Sequence, residues 1–161
     1  HPARTWSKLR SGELALEVRK YMHEMNKRHG DIEQKPIVKV DEAGVGAGVF
    51  DRLLEFDDIE TVGINVSERS DNPAEYENLR AQLAFGVREF IDAGGVLPED
   101  EQLREDVLAM RYGFAKKSGR ILVESKDDIK ARIGRSPDKG DALMNAVYPA
   151  IGKTGHEVKG F

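Results

Sequence analysis

Between Pro36 and Leu54 the chain changes its hydrophobic period within a few residues, and that change restricts the fold more than any other feature. Pro36-Ile37-Val38-Lys39-Val40-Asp41 is rich in β-branched residues and reads as a strand ending on an acid. Glu42 to Gly48 contains three glycines and cannot prolong the strand, while Val49, Phe50, Leu53 and Leu54 carry the spacing of a short packed helix. Ile59 to Val66 is a second β-rich run. A strand, a tight turn and a helix followed by another strand imply an α/β architecture. The glycine stretch is neither the dinucleotide pattern nor a phosphate loop with its lysine and hydroxyl residue. It reads instead as a turn that lets helix and sheet, or helix and DNA, approach closely.

The remaining segments extend the same alternation. Thr5 to Leu9 suits a short strand, and Glu13 to His29 places Leu14, Val18, Tyr21, Met22 and Met25 at helical spacing before Gly30. Asn72-Pro73 predicts an N-cap with proline at the first helical position, opening a helix to about Ala93. Pro98 with Glu99, Asp100 and Glu101 opens another, closing near Met110. Residues 111–115 and 120–124 predict a β-hairpin with the basic tip Lys116-Lys117-Ser118-Gly119. Ser125 caps a helix through Ile133, and Ser136-Pro137-Asp138 caps a last one. Residues 1–150 are therefore expected to form a single domain, a mixed sheet flanked by helices, with 151–161 as a tail.

Composition removes several classes of function. At 161 residues there is room for one core of ordinary size. With no cysteine, disulfide frameworks, thiolate zinc sites and cysteine nucleophiles are excluded, and a cytoplasmic location is expected. No apolar run reaches the ~20 residues that span a bilayer, and no secretory leader opens the chain. The histidines at 1, 23, 29 and 156 show no ligand spacing, and no serine lies in a nucleophile elbow. The net charge of -4 conceals a cationic stretch. Lys116, Lys117, Arg120, Lys126, Lys130, Arg132, Arg135 and Lys139 stand there against Glu124, Asp127, Asp128 and Asp138. Such residues either neutralise nucleic-acid phosphates or form a solvated surface.

The acids most able to do chemistry are Asp41, at a strand end, and Asp138 with Asp141, three apart on one helix face and so roughly 5–6 Å between Cβ atoms. Carboxylates without histidine or cysteine form a hard oxygen site suited to Mg²⁺ or Mn²⁺. Two such ions about 3.5–4 Å apart serve phosphodiester hydrolysis. The competing reading makes Asp138 a helix-capping residue and Asp41 a strand terminus.

Three stretches together resemble the ribonuclease H-like nuclease domain of phage terminase large subunits. They are Val40 through Leu53, Glu77-Asn78-Leu79-Arg80-Ala81-Gln82, and Glu124-Ser125-Lys126-Asp127-Asp128 through Ser136-Pro137-Asp138-Lys139-Gly140-Asp141-Ala142-Leu143. The resemblance covers roughly residues 11–148. It implies an α/β fold with a mixed sheet and metal-dependent cleavage of double-stranded DNA during genome packaging. Asp41 would then be the second acidic ligand and Asp141 the third, with Asp138 beside them. Lys126 would contact a phosphate or steady the hairpin. The expected partners are duplex DNA, other terminase subunits and the portal, in the cytoplasm of a bacterial host; loss of the opening strands would expose a sheet edge, which favours homo-oligomerisation or poor stability. Family members carry a first acid on an initial strand; nothing before Ser11 supplies it, and no phosphate loop marks an ATPase, so the sequence reads as truncated. The chemistry requires Asp41 and Asp141 to grip a shared ion.

Overall fold

Branched aliphatic residues set the first ladder of the computed structural model, which describes residues 4–30 and 33–148. Strand β1 (Ile37–Asp41) pairs in parallel with β2 (Glu60–Ile64), placing Asp41 opposite Ile64. Helix α1 (Ser11–Arg28) precedes them, and α2 (Val45–Leu53) connects them. Ala15, Val49, Leu53 and Ile59 are buried together, with Leu14, Val18, Val38, Val40 and Phe56 packed around them. The glycine turn works as the sequence indicates. Gly44 caps α2 at a positive φ of 59°, and a Cβ on Gly46 would lie 1.7 Å from the Asp41 carbonyl oxygen. Only a bare backbone lets the helix start so near the strand end.

Residues 4–10 contain no strand, contrary to expectation. Lys8 takes a positive φ of 62°, which interrupts an extended run, and Trp6 instead packs edge-on against Tyr21, with ring centroids 5.8 Å apart.

Trp6–Ile64 form one compact unit, and Asn65–Tyr148 belong to another. The second contains α3 (Leu79–Asp92), α4 (Glu101–Ala109), the antiparallel pair β3 (Tyr112–Phe114) and β4 (Ile121–Val123), α5 (Lys126–Ile133) and α6 (Asp138–Val147). Its buried apolar residues include Leu79, Leu83, Val87, Leu103, Ile129 and Met144. The predicted hairpin is present, with Ala115 N–H donating to the Arg120 carbonyl at 2.8 Å to close its tip. Among the described residues the strands thus form two short ladders, one parallel and one antiparallel, and Tyr76 adds an isolated parallel bridge to Ile121.

That bridge accounts for one correction. The helix expected from Asn72-Pro73 begins only at Leu79. Glu77 N–H donates to the Ile121 carbonyl at 2.9 Å and Ile121 N–H to the Glu75 carbonyl at 2.8 Å, holding this segment against β4. Asn72 closes a turn, and Asn78 is the true cap, accepting from Ala81 N–H at 3.0 Å. Ser125 caps α5 through Asp128 N–H at 3.1 Å, as expected, and Gly134 ends it in the left-handed region. The anticipated tail at 151–161 lies outside the described residues.

In the first unit Asp58 receives Arg19 through Nε at 2.9 Å and Nη2 at 2.7 Å, and His23 Nε2 at 2.8 Å. The Arg19 hydrogen bond, opposed by partial desolvation and helped by His23, holds the Asp58 carboxyl down at about 2 from an ordinary 3.8. A carboxyl depressed by folding stabilises the native state above its unfolded value and loses that contribution as pH falls through its folded one. Asp58→Asn is therefore expected to flatten the acid limb of thermal stability between pH 4 and 2. Equal acid sensitivity in the variant and the parent, followed by circular dichroism, would contradict this.

Candidate active site

Helix α6 begins without a side-chain cap, and its first turn carries Asp138 and Asp141. Both turn toward Lys126, the first residue of α5, whose Nζ lies 2.8 Å from Asp138 Oδ1 and 3.0 Å from Asp141 Oδ2. The other oxygen of Asp141, Oδ1, accepts from Arg80 Nη1 at 2.9 Å. Two carboxylates are thus balanced by two cations. Asp138 is open, with its side chain 70% exposed, whereas Asp141 is 19% exposed and Arg80 11%.

The protonation states follow from these contacts. The Lys126 hydrogen bond, opposed by desolvation and supported by Ser136 Oγ at 2.9 Å, holds the Asp138 carboxyl below its ordinary range. Burial alone would lower the Lys126 ammonium, but its bonds to Asp138 and Asp141 outweigh that and raise it. The cluster thus holds a cation between two carboxylates.

The position of α6 depends on Asp106, an acid with no solvent exposure on α4. Its Oδ2 accepts from the N–H groups of Lys139 at 3.0 Å and Gly140 at 3.2 Å, and its Oδ1 from Arg135. One buried carboxylate therefore fills the role of the missing cap. Neither Asp106 nor Arg80 stands among the site residues expected from the sequence. The available signals were that Asp106 falls three residues after Leu103, on the buried face of α4, and that Arg80 lies inside one of the stretches carrying the family resemblance.

Asp41 belongs to the first unit, at the exposed end of β1, where its Oδ1 accepts from Ala43 N–H at 3.0 Å in the turn leading to α2. Of the expected basic residues, Arg120 pairs with Glu77, Arg132 with Glu124, Arg135 with Glu105 and Asp106, and Lys139 with Asp100. Arg132 and Arg120 hold Glu124 and Glu77, respectively, below the usual carboxylate range, although for Glu77 the Ser118 hydroxyl contributes more. Lys116, Lys117 and Lys130 make no ion pair among the described residues.

Among the described residues no three histidine or acidic side chains form a group able to hold a metal ion. The Asp138 and Asp141 pair nevertheless fits a divalent cation in donor chemistry: its oxygens already surround an ammonium, and Mg²⁺ commonly takes one or two carboxylates and completes its shell with water and phosphate.

No protein-family model matches the chain, and no curated protein does. Solved structures do. The nuclease domain of the large terminase subunit gp2 of bacterial virus Sf6 aligns over 80% of this chain and 70% of its own, at 19% identity and a TM-score of 0.59. A lysine-to-alanine variant of that domain with manganese and beta-thujaplicinol aligns over 83% and 72%, at 18% identity and a TM-score of 0.58. A variant with calcium gives 80%, 70%, 18% and 0.58. The chain therefore shares its α/β fold with the nuclease domain of that phage large terminase subunit. No helix among the described residues is long and apolar enough to cross a membrane.

Replacing Asp106 by Ala leaves Arg135 and two α6 N–H groups without their acceptor. The expected loss is about 3–5 kcal/mol of unfolding free energy, measured by urea denaturation. A loss below about 1 kcal/mol would show that α6 is not anchored in this way.

Proposed function

We propose that this chain acts as a divalent-metal-dependent endonuclease domain of the phage DNA-packaging terminase kind, hydrolysing phosphodiester bonds of double-stranded DNA. The observation that carries the reading is the carboxylate pair of α6, closed on a cation, in a fold shared with nuclease domains determined with manganese and calcium. Asp138 and Asp141 are the proposed ligands of Mg²⁺ or Mn²⁺. Asp41 is the further acidic ligand that the sequence resemblance assigns. When bound, the ion would activate water and stabilise the leaving oxygen.

The side chains have separable tasks. Asp141 is pinned through one oxygen and offers the other, and Asp138 is accessible enough to exchange its partner. Lys126, once released by the carboxylates, keeps a positive charge at the place where a phosphate must approach. Lys116, Lys117 and Lys130, which make no ion pair among the described residues, add charge that suits phosphate contact. In this role the partners would be duplex DNA, other terminase subunits and the portal, in the cytoplasm of the bacterial host.

A second reading, a catalytically impaired module that binds DNA or protein, draws on one observation: Lys126 and Arg80 already neutralise the acid pair. Supercoiled plasmid with Mn²⁺ separates the two. The nuclease reading expects nicking, reduced more than about a hundredfold by Asp141→Ala. Salt-sensitive binding without cleavage at any metal concentration would establish the second reading instead.

The lysine assignments make their own forecast. Lys117→Ala is expected to weaken duplex binding equally across sequences and to reduce the slope of log affinity against log salt by about one. An unchanged slope in fluorescence anisotropy titrations would remove the hairpin tip from the DNA surface.

A further inference from the structure

Arg80 is an uneconomical residue if stability is its only purpose. Its side chain is 11% exposed, and Nη2 is buried without a hydrogen-bond partner among the described residues. Leaving a donor of a charged group unsatisfied carries a penalty that an apolar side chain would avoid. The remaining contacts of the guanidinium converge on the candidate site. Nη1 donates to Asp141 Oδ1 at 2.9 Å, and Nε reaches the Glu124 carbonyl at 3.5 Å, next to the Ser125 cap from which the Lys126 helix starts. The Arg80 backbone is fixed in turn, its N–H donating to the Val66 carbonyl at 3.0 Å. One planar group therefore relates α3, the beginning of α5 and the acid of α6.

The two oxygens of Asp141 are consequently unlike. Oδ1 faces a largely buried guanidinium; Oδ2 faces the ammonium of Lys126, whose side chain is 45% exposed. Only the second can be surrendered to another cation without breaking the buried pair. We propose that Arg80 is a positioning residue that fixes the Asp141 carboxylate so that Oδ2 alone meets a divalent ion. This rests on the metal-dependent reading given above and adds to it a determinant of how the ion is held.

The electrostatic and positioning effects of Arg80 have opposite signs, and this makes the idea testable. Removing a positive charge beside a carboxylate by itself favours cation binding. Loss of orientation weakens it, by about 10–100-fold for partners that hold a metal ligand in place. Titration calorimetry of the full chain with Mn²⁺ alone, without DNA, reads the balance. Arg80→Ala is expected to weaken Mn²⁺ binding at least about tenfold despite the lost charge, and Arg80→Lys, which keeps the charge but not the planar fork, is expected to weaken it as well. Binding unchanged or tightened in either folded variant overturns the proposal while leaving the nuclease reading intact. Should Arg80→Ala fail to fold, Arg80→Lys decides. If neither variant keeps the parent circular dichroism spectrum, Arg80 is structural and the proposal falls. Absence of saturable Mn²⁺ binding in the parent chain overturns the metal reading and this role together.

Discussion

The charge balance around Asp141 is the interaction on which the rest of the account depends. Enclosing a carboxylate to this degree costs solvation that close cations must offset. Here a buried guanidinium takes one oxygen and a half-exposed ammonium the other. The arrangement stores an anionic pair next to solvent without leaving it uncompensated. It also sets a condition on any incoming ion, which must displace Lys126 and cannot easily displace Arg80.

Everything that places this pair lies in the second unit. Asn78 caps α3 and so orients Arg80, Ser125 caps α5 and so orients Lys126, and Asp106 grips the first N–H groups of α6. Three helix N-termini are thus arranged by short polar side chains, each satisfying backbone donors that would otherwise be orphaned. Much of the local cationic excess is spent on the same purpose. Arg120, Arg132, Arg135 and Lys139 hold acids of the fold, and the hairpin tip and Lys130 retain the charge available to a polyanion. Net composition could not separate these roles, because pairing depends on which acid each cation meets.

How legible each feature was in the sequence depended on whether its cause is local. The strand ending on Asp41, the glycine turn, the hairpin and the Ser125 cap follow from residues close in the chain, and all are found where periodicity and capping chemistry place them. The carboxylates at 138 and 141 were visible for the same reason, as neighbours on one helical face. What escaped was long-range. Asn72-Pro73 has the chemistry of a helix start, but pairing with Ile121, far along the chain, holds that backbone against β4 and moves the start to Asn78. Arg80 and Asp106 acquire their meaning from partners 61 and 33 residues away, so the weak local signals they carry do not say which groups they meet.

The central claim, that the α6 carboxylates constitute a divalent-cation locus now held by Lys126, can be tested directly by anomalous diffraction from crystals of the chain equilibrated with Mn²⁺. The expected result is an anomalous peak bonded to Asp141 Oδ2 and Asp138, with the Lys126 ammonium moved off both oxygens. A structure at saturating Mn²⁺ in which Lys126 still bridges the two carboxylates and the metal is absent or bound elsewhere would contradict it.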